Sequence, residues 1–216
     1  MADEEEAPQS RVTLGKGRME AFSDGVLAIA ITLLVLDVAV RPPGSPTEEF
    51  LRGWPSYLAY LVSFLTIGGA WIAHHGLTDG LDRVDRIFLR LNILFLLVVS
   101  FLPFPTRLVA EAIDKSTDWQ RMSAVVYGFT LLLIRLVFTA LSAYVRRAHL
   151  RGPGVEDPDL TEARSKFRVA VGGYVVTILL GLLVPIVAIC LYFAIAIFLM
   201  VPFRTVAHSL FGSRSP

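Results

Sequence analysis

Few side chains in this chain can do chemistry, and most of them stand inside apolar runs. Arg18, Ser23 and Asp24 open the first run, and His74 and His75 close the second, with Asp79 and Asp82 just beyond. Asn92 lies in the third run and Arg135 in the fourth. Metal binding would draw on His75 and Asp79, which share one helix face at i, i+4 spacing. His74 and His75, however, point about 100° apart on a helix, which is poor for chelation by both. We therefore expect no metal site, and His74 reads better as a hydrogen-bonding residue between packed helices. Proton or ion handling would draw on Asp24 and His74, because an imidazole ordinarily changes charge near neutral pH. A catalytic cluster of His74, His75 and Asp79 lacks a nucleophile, so no enzyme is expected. Cys190 is the single cysteine, which excludes an intrachain disulfide and a cysteine-rich metal site. It reads as a small buried or lipid-facing residue.

The elements that must position these residues follow from composition. Of 216 residues, 54% are hydrophobic and 18% charged, and the mean hydropathy is +0.61. A soluble domain of this size could not hide that much apolar surface. A helix crossing ~30 Å of hydrocarbon needs about 20 apolar residues, so six would use most of the chain. The pattern predicts an all-α membrane protein with six transmembrane helices per chain. The first runs from Arg18 to Val40 and ends in the loop Arg41–Pro46. The second runs from Tyr57 to His75. The third runs from Ile87 to Leu108, and Pro103 and Pro105 should break or kink it. The fourth runs from Met122 to Tyr144. The fifth and sixth divide the apolar stretch from Val169 to Phe203, with Pro185 as the turn. Residues 1–17 form an acidic, then basic, disordered cytoplasmic tail without the apolar core of a signal peptide. The membrane domain covers 18–204, and 205–216 form a second cytoplasmic tail.

Basic residues set the orientation. Fourteen of the 20 Lys and Arg residues flank the spans on the side of the N-terminus, five lie on the other side, and Arg135 is within the fourth span. The positive-inside rule then places both termini in the cytoplasm. Arg135 must reach a partner, a water-filled cavity or a subunit interface, because an unpaired arginine is costly in lipid. A single arginine is too few for a voltage sensor. Trp54, Tyr57 and Trp119 read as interfacial anchors. Topology explains the arginine-rich loop after the fourth span, which can also contact anionic membrane lipid. No nucleic-acid partner is needed to explain it.

The first span repays close reading. Ile29, Leu33, Leu36 and Val40 recur at helical steps and form one face, bordered by Thr32. Arg18, Phe22 and Gly25 continue the stripe toward the cytoplasm, and Asp37 lies one turn beyond Leu33. Charge at both ends and an apolar middle suit a pore-lining helix. They suit an ordinary membrane helix nearly as well.

The run Arg18-x-x-x-Phe22-Ser23-Asp24 resembles the signature of the transmembrane protein 175 family, the endosomal and lysosomal potassium channels and their prokaryotic relatives. Trp71-Ile-Ala-His74-His75 resembles the family's Trp-x-x-His element. Asn92 and Phe101-Leu102-Pro103-Phe104-Pro105-Thr106 are similar to a family stretch in the third span. The similarity covers about residues 18 to 108.

The resemblance implies a prokaryotic single-repeat member: a homotetramer whose four first helices line the pore. It implies a constriction at Ile29, Leu33 and Leu36 and a selectivity layer at Thr32. Potassium and other monovalent cations are the implied permeant species, and no cofactor is implied. The animal channels carry a hydroxyl residue just before the isoleucine, whereas this chain has Ala28, which favours a modest potassium preference. Asp37 is either an outer-mouth charge that concentrates cations or a solvated interfacial residue. The resemblance favours Arg18, Phe22, Ser23, Asp24, Trp71, His74 and Asn92 as a polar network clamping the pore helix, with Asp24, His74 and Asn92 as joined members. The expected function is a potassium-preferring cation channel in a prokaryotic plasma membrane. The alternative is a secondary transporter or proton pathway using Asp24 and His74.

Overall fold

The computed structural model describes residues 15–37, 45–112, 115–155 and 160–200. Both tails and Val38–Val40 therefore fall largely or wholly outside the described residues. Apart from turns and one isolated bridge, the described residues are helical. A helix bonds its own backbone groups, which lipid cannot do, so apolar runs of this length become helices.

Helix α1 spans Lys16–Leu33 and tightens into a 3-10 turn at Leu34–Asp37. It starts two residues before Arg18, so Lys16 and Gly17 belong to the helix. Lys16 Nζ donates to the Asp79 and Leu81 carbonyls at 2.8 and 3.1 Å, satisfying acceptors left open where the second span ends. A short helix α2, Pro46–Arg52, begins at the last residue of the expected loop Arg41–Pro46, of which Arg41–Gly44 lie outside the described residues. Helix α3 spans Trp54–Asp79, with Pro55 in its first turn, where a missing N–H costs nothing.

The third span divides as its prolines require. Helix α4 spans Arg86–Phe101, and Asp85 caps it by accepting from the Phe88 N–H at 2.7 Å. The chain turns at Leu102 and restarts as α5, Pro103–Ala112. Proline 103 has no N–H to continue α4 but is well suited to begin α5. Helix α6 spans Thr117–Arg147. Helices α7, Leu160–Gly181, and α8, Pro185–Met200, follow, with Pro185 opening the last helix.

Among the described residues, four segments are long and apolar enough to cross a membrane: Lys16–Leu36, Trp54–Asp79, Arg86–Ala112 and Thr117–Arg147. Two shorter apolar helices, Phe167–Gly181 and Pro185–Leu199, complete a six-part membrane bundle. Helix α1 packs on α3 and α4, α3 packs on α8, and α6 holds α4, α5 and α7. The core between them is built on Leu27, Leu34, Phe88, Phe95, Tyr127 and Tyr192. At one end of the bundle the α3–α4 and α6–α7 connections pair through a bridge at Leu81 and Arg151. Tyr144 Oη donates to Asp85 Oδ2 at 2.6 Å beside them.

Candidate functional site

Helix α1 has two unlike faces. Met19, Ser23, Leu27, Ala30 and Leu34 are buried against the bundle. Phe22, Ile29, Leu33 and Leu36 stand on the other side, 58%, 62%, 43% and 73% exposed. Arg18, Gly25, Ala28 and Thr32 are exposed with them. The stripe expected from the sequence is thus the surface that α1 presents outside its own chain. Exposure alone does not separate a pore from lipid, because Ile93, Leu97, Phe129 and Leu179 on other helices are exposed too.

Thr32 Oγ1 donates to the Ile29 carbonyl at 2.9 Å. The hydroxyl proton is spent inside the helix, and the oxygen lone pairs remain for an electropositive partner outside it. An exposed threonine so arranged offers a cation an oxygen ligand. The 3-10 turn then ends at Asp37, whose side chain lies outside the described residues.

The buried face of α1 is tied down by hydrogen bonds to two other helices. Asn92 Nδ2 donates to Ser23 Oγ at 2.9 Å, and Ser23 Oγ donates to the Met19 carbonyl at 2.9 Å. The other end of the same amide, Asn92 Oδ1, lies 2.7 Å from His74 Nε2, so that nitrogen donates. All three side chains are buried. The His74 ring stacks on Phe95 with centroids 5.6 Å apart, which fixes its plane. Asn92 on α4 therefore bridges α1 to α3, using both ends of its amide. A buried amide can be tolerated only when so satisfied.

Asp24 follows a different path from the one expected. It does not share in the His74–Asn92 linkage; its Oδ1 accepts from Trp71 Nε1 at 2.9 Å on the exposed side. The reason is helical geometry. Ser23 and Asp24 are adjacent, so they point about 100° apart, and only one can face α4. Ser23 takes the inward place. The expected single network is thus two linkages from α1, a buried one to α4 and α3 and an exposed one to α3. Arg18 and Phe22 are exposed and join neither. His75 stacks on Trp71 with centroids 5.9 Å apart, while its neighbour His74 faces the core.

A second polar cluster escaped the sequence reading. Ser63 Oγ on α3 lies 2.7 Å from Thr106 Oγ1 on α5 and 2.8 Å from Tyr127 Oη on α6. Tyr127 Oη also donates to the Ala59 carbonyl at 3.2 Å. Its only signal in the sequence is that each of three apolar spans carries a hydroxyl.

The fold and this site define a polytopic helical membrane protein whose first helix leaves one face exposed. Comparison with known proteins gives that class a family. The model for the endosomal/lysosomal potassium channel TMEM175 matches residues 18–103. A potassium channel of Streptomyces collinus is 42% identical over 166 residues, 75% of this chain and 80% of its own. A potassium channel of Chamaesiphon minutus is 36% identical over 200 residues, 89% of this chain and 96% of its own. The crystal structure of a lysosomal potassium-selective channel TMEM175 homolog from Chamaesiphon minutus superposes with a TM-score of 0.70 at 35% identity. It covers 85% of this chain and 95% of that one. The chain belongs to the TMEM175 family, a family of channels and not of enzymes.

Proposed function

We propose that this chain is a potassium-preferring cation channel whose subunits assemble as a homotetramer around four copies of α1. The observation that carries the reading is the two-sided character of that helix. One face is locked to its own subunit through Ser23 and Asn92, and the other leaves Ile29, Thr32, Leu33 and Leu36 open to further copies. The potassium channels of two bacteria that resemble this chain over most of their length support it.

In the closed state, aliphatic side chains at the Ile29, Leu33 and Leu36 levels exclude water from the axis. Opening requires the first helices to rotate or spread. Potassium sheds water more readily than sodium, so a neck with few ligands already favours it. Thr32 oxygens from four chains replace part of the lost hydration shell, with no resident cofactor. Asp37 concentrates cations at the outer mouth. The Asn92 bridge and the Asp24–Trp71 bond hold α1 in register on its subunit, so that it moves with α3 and α4. The protein sits in a prokaryotic plasma membrane with both termini in the cytoplasm, as the distribution of Lys and Arg supports.

The experiment is reconstitution into liposomes with potassium and sodium uptake measured in parallel. Uncoupled flux favouring potassium supports the channel. A saturable flux that requires a second, coupled ion would instead support a transporter built on Asp24 and His74.

A further inference from the structure

A cavity of about 110 Å³ lies between α3, α6, α7 and α8, and α1 contributes no side chain to its wall. Leu65, Leu131, Phe138 and Leu199 make most of its lining apolar, and Arg135 and Thr66 lie in the same wall. Both are near the middle of their helices.

Each of these two side chains has a buried polar atom without a partner: Arg135 Nε and Thr66 Oγ1. The threonine is unusual within this chain. Thr106, Thr130 and Thr139 each donate back to a carbonyl of their own helix. Thr66 has no such bond, so its proton is free to donate into the cavity. Arg135 makes no ion pair among the described residues. Tyr174, in the same wall, brings an uncharged phenol and no carboxylate.

A guanidinium at membrane depth without a counter-charge is among the most unfavourable arrangements a bundle can hold. Water alone would satisfy the hydrogen bonds but not the charge. Two side chains with unpartnered donors in the wall of one mostly apolar space instead describe a receptor for one negative charge. The volume is well above the ~10–15 Å³ that a single water needs. It admits a halide with a little water, whereas a phosphate-bearing lipid headgroup would have to leave the membrane surface to reach it.

We propose that this cavity binds a small monovalent inorganic anion, chloride under ordinary conditions, held by the Arg135 guanidinium and the Thr66 hydroxyl. The bound ion neutralises Arg135 and joins α3 to α6 behind the helix that faces the other subunits. The proposal is independent of the reading of α1, and its test needs no ionic current.

The test is thermal unfolding of the purified full chain in detergent, in potassium chloride and in potassium gluconate at equal ionic strength. Gluconate is a larger, polyhydroxylated carboxylate that a mostly apolar lining would leave poorly hydrated. At chloride about tenfold above its dissociation constant, the melting temperature should exceed that in gluconate by about 3–5 °C, with saturation. Bromide should substitute for chloride and give an anomalous-scattering peak beside Arg135 in crystals. Arg135→Gln should lose the anion dependence. Thr66→Val, which keeps the shape of the side chain, should weaken it while the protein still folds. Equal melting of the wild type in the two salts would overturn the proposal. So would a chloride effect that survives in both variants, or a lipid carboxylate released on denaturation with no halide effect.

Discussion

Replacing Asn92 by leucine removes a side chain that joins α1, α3 and α4 at once. Asn92 is 1% exposed and makes two side-chain bonds, to Ser23 at 2.9 Å and His74 at 2.7 Å. Each is worth about 1 kcal/mol net, and leaving His74 Nε2 buried without a partner adds about 1–3 kcal/mol. Ser23 keeps its bond to the Met19 carbonyl, so it adds little. Leucine keeps the branched skeleton of asparagine, with bulkier methyl groups, and recovers roughly 1 kcal/mol by apolar burial. The net loss is about 2–4 kcal/mol, which lowers the melting temperature by about 4–16 °C for a chain of this size. Tryptophan fluorescence in detergent reads the transition, since Trp71 lies one turn from His74 on α3. The sharper form of the test is a double-mutant cycle. His74→Phe removes the orphaned nitrogen and keeps the stacking partner of Phe95. The double variant should therefore be more stable than the sum of the single losses by about 1–2 kcal/mol. Losses that add within about 0.5 kcal/mol would refute the linkage.

Three further outcomes follow from the same reasoning. A methyl group at Gly128 would overlap Tyr192 Oη and come within 2.8 Å of Ile178 Cγ1, so Gly128→Ala should destabilise the bundle by about 1–3 kcal/mol. Gly68 has nothing within 4 Å of the added carbon, and Gly68→Ala in the same thermal assay should show no such loss. Asp37→Asn should lower single-channel conductance at about 0.01 M salt, and the difference should vanish near 1 M, where screening acts within about 3 Å. Lys16→Ala frees the Asp79 and Leu81 carbonyls and should speed amide exchange around the α3–α4 connection without moving the global transition by more than about 1 kcal/mol.

Much of the bundle was legible because lipid leaves the backbone so little choice. Apolar length marks the spans, and Pro103 and Pro185 mark the two places where a helix must stop and restart. The exposed stripe from Phe22 to Leu36 was legible from its period alone. Helix α2 was not, because Pro46 opens it where prolines also end loops. The partition between Ser23 and Asp24 was not legible either. It depends on the rotation of α1 against α4, and a neighbour's carboxylate gives no hint that the hydroxyl faces inward. The Ser63–Thr106–Tyr127 cluster joins residues far apart in the chain, and a periodicity within one helix carries no information about it. Arg135 was legible as a residue in need of a partner, and the structure places it in the wall of the cavity between α3, α6, α7 and α8.

The central claim is that the exposed face of α1 forms a hydrophobic neck on the ion path. It is tested most directly by unitary currents of Ile29→Asn beside the wild type in planar bilayers, with potassium on one side and sodium on the other. A polar side chain at the neck should wet it, raise the conductance and move the reversal potential toward zero, from a wild-type value that favours potassium. Conductance and reversal potential unchanged in a folded, tetrameric Ile29→Asn protein would contradict the account.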